Sequence, residues 1–249
     1  MKLFACDLDN TLIFSRKKAP EGSVCVERIG DKEQGFMSPV AIDLLRRVSS
    51  GDYLFLPVTT RSVEQYRRIE WPQGCTPRYA VTANGAILLK EGEVLPEWSA
   101  ETRRLFGGAE EEIARWQERL TAEDKYLRCR IVDDFFLFAY AKDEEDVAAL
   151  AEGYRAETEL DVAYSGRKIY FFPKGMNKGS AVERFLGRGP FERTISAGDS
   201  AIDLSMLART EVSIVPSLSL KKRLGDHPVL LQEGEGLFSD FVLSVVLKQ

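Results

Sequence analysis

The sequence predicts an α/β fold, a Rossmann-like, doubly wound parallel sheet that carries an inserted α+β cap. Three observations predict it. Short apolar runs stop abruptly at Asp7, Thr59 and Gly198, as buried strands do when they deliver the chain to a loop. Amphipathic helical stretches alternate with those runs, which calls for parallel strands covered on both faces, with ligands beyond their carboxyl ends. From residue 98 to 167 the alternation gives way to a helix and a hairpin that occur twice in succession.

The first run, Leu3 to Cys6, is too short for anything but a strand and ends on Asp7. Ser23 to Ile29 alternates, and Gly22, Gly30 and Gly35 punctuate it, so a β-hairpin flap is expected over residues 15–36. Ser38-Pro39 reads as a helix cap and first helical position, with Ala41, Leu44, Leu45 and Val48 on one face and Gly51 as the stop. Tyr53–Val58 and Tyr79–Thr82 follow as the next core strands, with Ser62 capping a helix between them. Ile87–Leu95 makes a hairpin that Pro96 closes, and a long charged helix is expected from about Ser99.

Two strands around Asp133-Asp134, a helix opening at Asp143, and two more strands around Gly166 complete an αββαββ unit. Its four strands are expected as one antiparallel sheet with both helices on one face and the other face free to cover a site. The catalytic core is then residues 1–97 and 168–249, interrupted by the cap at 98–167. It resumes with a helix over 177–186, strands at 194–197 and 212–215, and a helix near Ile202–Leu207.

The chain has 249 residues, enough for a large core without disulfide or metal staples. A net charge of −5 gives no general attraction to nucleic acid or anionic membranes, so an anionic ligand needs a local site. Cys6, Cys25, Cys75 and Cys129 are far apart and form no CxxC pair, which argues against zinc and redox pairs. With an apolar start too short for a signal peptide and no membrane-length run, a cytoplasmic protein is expected. The absence of a GxGxxG after the first strand argues against a nicotinamide cofactor.

The chemistry concentrates at strand ends. Asp7-Leu8-Asp9-Asn10-Thr11 sets two carboxylates close together after a buried strand, which is costly unless a divalent cation neutralises them or one is protonated for acid chemistry. Thr59 offers a hydroxyl at the next strand end. Lys178, with Lys174 as runner-up, stands at a helix start where the dipole disfavours a cation, so a nearby negative charge is expected. Asp199 and Asp203 repeat the carboxylate pattern at a strand-to-helix turn, where Asp199 can complete an oxygen shell for a metal and Asp203 can orient Lys178 or a metal-bound water.

Taken in this order, the motifs resemble those of the haloacid dehalogenase superfamily, in its Cof-type or type IIB branch, over nearly the whole chain. Asp7 to Thr11 looks like the DxDxT signature, Thr59-Thr60-Arg61 like TGR, Asn84-Gly85-Ala86 like the NGA loop, and Gly198 to Asp203 like GDxxND. The resemblance implies a Mg2+-dependent phosphatase acting on a small phosphorylated metabolite such as a sugar phosphate. Asp7 would be the nucleophile and Asp9 the acid and base, with Thr59 and Lys178 stabilising charge. Magnesium would be held by Asp7, the Asp9 carbonyl and Asp199, with Asp203 and Ser200 beside it. Thr60, Arg61, Asn84 and Gly85 are expected near the substrate. The chain departs from the pattern at Thr60, where TGR has glycine, and at Ile202, where GDxxND has asparagine.

In the cap, period two places Tyr126, Arg128 and Arg130 on one face of a strand and Leu127, Cys129 and Ile131 on the other. Arg128, Arg130, Arg167 and Lys168 are therefore expected to offer a second anion site or plain surface charge. His227 is expected in a loop, and the three tryptophans in packing. A phosphomutase using the same intermediate and a binding protein without turnover are the alternatives.

Overall fold

A computed structural model describes residues 1–249. Its central strand β1 (Lys2–Cys6) leads to a hairpin of β2 (Val24–Ile29) and β3 (Lys32–Met37), helix α1 (Pro39–Ser50), strand β4 (Tyr53–Pro57) and a short helix α2 (Val63–Arg67). Ser38 caps α1 by accepting from the Ala41 amide at 2.9 Å, and Ser62 caps α2. Gly35 lies inside β3, so it is a strand residue where a turn was expected.

Strands β5 (Tyr79–Thr82), β6 (Ile87–Lys90) and β7 (Glu93–Val94) form a small antiparallel meander. The expected third core strand, β5, meets the central sheet through one bridge from Val58 to Val81 and pairs antiparallel with β6 along its other edge. The expected long charged helix is two helices, α3 (Pro96–Phe106) and α4 (Glu110–Ala122). At Gly107 a Cβ would lie 2.3 Å from the Arg103 carbonyl oxygen, so only glycine lets the chain turn away there. Helix α3 packs on the core: the Trp98 indole donates to the Gly85 carbonyl at 3.0 Å and Thr102 to Ala86 at 2.9 Å. The cap therefore starts after Gly107, not near residue 98.

Cap strands β8 (Tyr126–Val132) and β9 (Phe136–Ala141), helix α5 (Val147–Arg155), and strands β10 (Asp161–Ser165) and β11 (Lys168–Phe172) follow. The sheet is antiparallel in the order β10-β11-β9-β8, so it extends past residue 167 to include β11. Helices α4 and α5 cover one face through Trp116, Leu120, Ala151 and Tyr154. The opposite face, expected to be free of helices and available to cover a site, faces the core: Val132, Phe136, Tyr170 and Phe172 join the main core cluster.

The chain then returns to the core through α6 (Lys178–Leu186), β12 (Arg193–Ala197), α7 (Leu204–Leu207), β13 (Val212–Val215), α8 (Leu218–Arg223), β14 (Val229–Leu231) and α9 (Phe238–Val246). Strands β14-β13-β12-β1-β4 form one parallel sheet. Along β1 the side chains divide between its faces: Phe4 and Cys6 pack with α1 and α9, whereas Leu3 and Ala5 pack with α3 and α6. The doubly wound architecture read from the sequence is the one observed. No helix is long and apolar enough to cross a membrane.

The register positions the site. Cys6 lies opposite both Pro57 and Ala197, so the residues that follow β1, β4 and β12 leave the sheet at one edge. The Asp7 amide donates to the Ala197 carbonyl at 3.0 Å and the Val58 amide to Cys6 at 2.8 Å, which extends the ladder one step beyond the strands.

Candidate active site

At that edge the Lys178 ammonium donates to Asp7 Oδ1 at 2.5 Å and to Asp203 Oδ1 at 2.6 Å. All three side chains are buried, Asp203 completely. Burial alone would drive the ammonium towards neutrality, but the charges of Asp203 and Asp7 push its pKa above the ordinary lysine value. The lysine reaches them because α6 sits close against α7. At Gly179 a Cβ would lie 2.2 Å from the Ser205 carbonyl oxygen, so no other residue permits this approach. Asn177 caps the helix through the Ser180 amide, and its two carboxylate partners offset the unfavourable dipole at Lys178. Lys174 is 76% exposed and meets only Glu159, at 3.6 Å, so it does not fill the runner-up role.

Both oxygens of Asp203 are engaged, since Oδ2 accepts from the Ser200 amide at 2.9 Å and hydroxyl at 2.8 Å. Asp203 is thereby fixed as the partner of Lys178. Asp199 makes no hydrogen bond, although one of its oxygens lies within 4.8 Å of those of Asp7 and Asp203. Burial, followed by the negative charge of Asp203, pushes its carboxyl up to about 7. Three carboxylates around one ammonium leave excess negative charge, and an all-oxygen donor set suits a hard divalent cation. The residues present therefore fit the metal that the motifs imply. Ile202 is half-buried and packs against the main core, so it offers no oxygen there.

Asp9 has a different environment. Its Oδ2 accepts from Arg61 Nε at 3.1 Å and its Oδ1 from Arg61 Nη2 at 2.7 Å. Burial raises the Asp9 carboxyl, but the Arg61 charge and hydrogen bonds outweigh it and hold Asp9 below the usual carboxylate range. The remaining Arg61 nitrogen, Nη1, donates to Glu27 Oε2 at 2.9 Å, and Glu27 also faces Arg68 at 3.4 Å. Glu27 comes from β2 of the flap and is buried. Thr59, fully buried, accepts from the Arg61 amide at 3.2 Å, which leaves its hydroxyl proton for another acceptor.

A cavity of about 230 Å³ opens between core, flap and cap, lined by Asp9, Glu27, Thr60 and Arg61 on one side and by Arg130 and Lys168 on the other. Its cap wall is aromatic, with Phe138 and Tyr170 ring centroids 5.6 Å apart. Of the residues expected near a substrate, Thr60, Arg61 and Arg130 line this cavity. Asn84, Gly85, Arg128 and Arg167 do not.

Asn84 and Gly85 are buried and secure the start of α6: Asn84 Nδ2 donates to the Met176 carbonyl at 3.3 Å. Arg167 lies on Tyr140, donates to the Ala141 carbonyl at 2.9 Å through Nε and pairs with Asp143. Arg128 shares a face with Arg130, as expected, but is exposed, and the β8–β9 register shifts between Tyr126 and Arg128. This bulge breaks the period-two expectation: Tyr126 joins Cys129 and Ile131 on the helix side, and Leu127 is left 61% exposed.

Residues 117–215 match the family of haloacid dehalogenase-like hydrolases. No curated protein matches the chain by sequence. The fold matches the sucrose-phosphatase of Synechocystis sp. PCC6803, solved with sucrose and phosphate, with a TM-score of 0.66, 14% identity, and 99% of this chain and 97% of that one covered. A phosphatase of the haloalkanoate (HAD) enzyme superfamily from Bacteroides thetaiotaomicron gives 0.62 at 15% identity, covering 100% and 94%. A haloacid dehalogenase-like hydrolase from B. subtilis gives 0.63 at 17%, covering 99% of each. The family match spans Lys178 and Gly198–Asp203, and the solved structures share the fold over nearly the whole chain.

Proposed function

We propose that this chain is a magnesium-dependent phosphatase of a small phosphorylated metabolite, working through an aspartyl-phosphate at Asp7. The observation that carries the reading is the buried Asp7–Lys178–Asp203 cluster with an unpartnered Asp199 beside it. Asp7 and Asp199, with the Asp9 carbonyl, would hold the metal, which supplies positive charge opposite the phosphoryl oxygens.

An oxygen of Asp7 attacks phosphorus as the ester P–O bond breaks, and the departing alkoxide takes a proton from Asp9. Water then attacks the aspartyl-phosphate, giving its proton back to Asp9, and inorganic phosphate leaves with Asp7 restored. Lys178 and the Thr59 hydroxyl stabilise the negative charge that builds on the phosphoryl oxygens. The Arg61 clamp keeps Asp9 as a carboxylate, which suits the second half-reaction. In the first half Asp9 must carry a proton. A substrate whose phosphoryl oxygens draw Arg61 towards themselves would release the carboxylate to take it up.

The test is release of inorganic phosphate from a panel of phosphomonoesters with magnesium or with EDTA. Release that needs magnesium supports the reading. Interconversion of isomers without net release would replace it with a phosphomutase, and inertness across the panel would leave a binding protein.

A further inference from the structure

The charges around the cavity are not all accounted for by the protein. Arg61 is bound by Asp9 and Glu27, and Arg68 faces Glu27. The two cap cations have no such partner. Arg130 makes no ion pair, and its Nε is buried without a hydrogen-bond acceptor, although the guanidinium lies 5.8 Å from the Phe138 ring. Lys168, half-buried, makes neither a hydrogen bond nor an ion pair and shares the same wall with Phe138 and Tyr170. A buried donor left unpaired is costly, and Lys168 on the same wall feels the carboxylate of Asp9 across the cavity without pairing with it. An anion in the cavity would satisfy the Arg130 donor and give Lys168 a direct partner.

We infer that the substrate carries a second anionic group, a carboxylate or a second phosphoryl group, bound between Arg130 and Lys168, with its carbon skeleton against Phe138 and Tyr170. The inference rests on the phosphatase reading for the place of the first phosphoryl group, beside Asp9. At about 230 Å³ the cavity falls below the ~300–1,000 Å³ of drug-sized ligand clefts. Asp9, Arg130 and Lys168 line this one small cavity, so the second anion shares it with the phosphate ester, which favours compact acidic phosphoesters.

The test compares glycerol 3-phosphate, 3-phosphoglycerate and glycerol 1,3-bisphosphate, first by calorimetric binding to the full chain in EDTA and then by phosphate release in magnesium. One or both of the doubly anionic esters are expected to bind about tenfold or more tightly than glycerol 3-phosphate. Arg130→Gln and Lys168→Gln are each expected to erase that ratio, whereas Arg128→Gln keeps it. Whether the carboxylate or the second phosphoryl group gains more identifies the anion. Equal binding of all three esters overturns the inference even if all are hydrolysed. Preferential binding without phosphate release sustains the anion site and overturns the hydrolase reading instead.

Discussion

The two sides of the catalytic cleft are built on opposite principles. On the core side most charges are held by named partners: Lys178 lies between Asp7 and Asp203, Asp203 is held by Ser200, and Asp9 is bound through Arg61 to Glu27, with Asp199 alone left unpaired. On the cap side Arg130 and Lys168 stand among aromatic rings and neither makes an ion pair with the chain. The difference teaches where chemistry and selection are located. A reacting centre gains from donors fixed before the substrate arrives, whereas a selecting surface gains from groups that only the right ligand satisfies.

The comparison breaks first at Asp7. Asp7→Asn keeps the shape of the side chain but removes the nucleophile, and phosphate release is expected to fall by at least about a thousandfold, with calorimetric binding of the ester in EDTA retained. Residual activity within tenfold of wild type would move the reacting centre elsewhere.

Lys178→Met comes next, because it leaves Asp7 and Asp203 as buried carboxylates without their cation. A loss of about 3–5 kcal/mol is expected in urea unfolding at neutral pH, together with loss of turnover. An unchanged midpoint would mean that the cluster is far more hydrated than its burial indicates.

Glu27→Gln sharpens the comparison, since it touches neither Asp7 nor Asp199. It should loosen Arg61 and Asp9, lowering kcat about tenfold while the magnesium concentration for half-maximal activity stays the same. A shift in that magnesium requirement would show that flap and metal site are not separable. The smallest effect is expected at Arg167→Gln, a cap cation outside the cavity: kcat/KM should stay within about twofold of wild type, as for surface substitutions.

Much of the core side was legible because β1, β4 and β12 are short apolar runs and their register fixes where the next residues emerge. Asp7, Thr59 and Asp199 each follow such a run, and Lys178 follows a recognisable cap. Glu27 was missed for a physical reason. Strand β2 has register shifts on both sides of Glu27, so Val26 and Glu27 are both buried where strict alternation would turn one of them outward. The bulge in β8 moved Tyr126 to the other face in the same way. A single extra residue inverts the faces that follow, and nothing in the spacing of side chains announces it. Helix α3 was assigned to the cap because its charged surface hides the contacts of Trp98 and Thr102 with the core.

The origin of the cavity's charges carries one more consequence. Asp9, Glu27, Arg61 and Arg68 belong to core and flap and cancel one another, whereas Arg130 and Lys168 belong to the cap sheet. Without a ligand the cap is held on the core by apolar packing and by the Val63 amide donating to Asp133 at 2.8 Å, and its two cations face the core carboxylates without pairing with them. A ligand that is negative at both ends would act as a clasp, one end on the core and the other on the cap. The substrate would then help to assemble the enclosure in which it reacts.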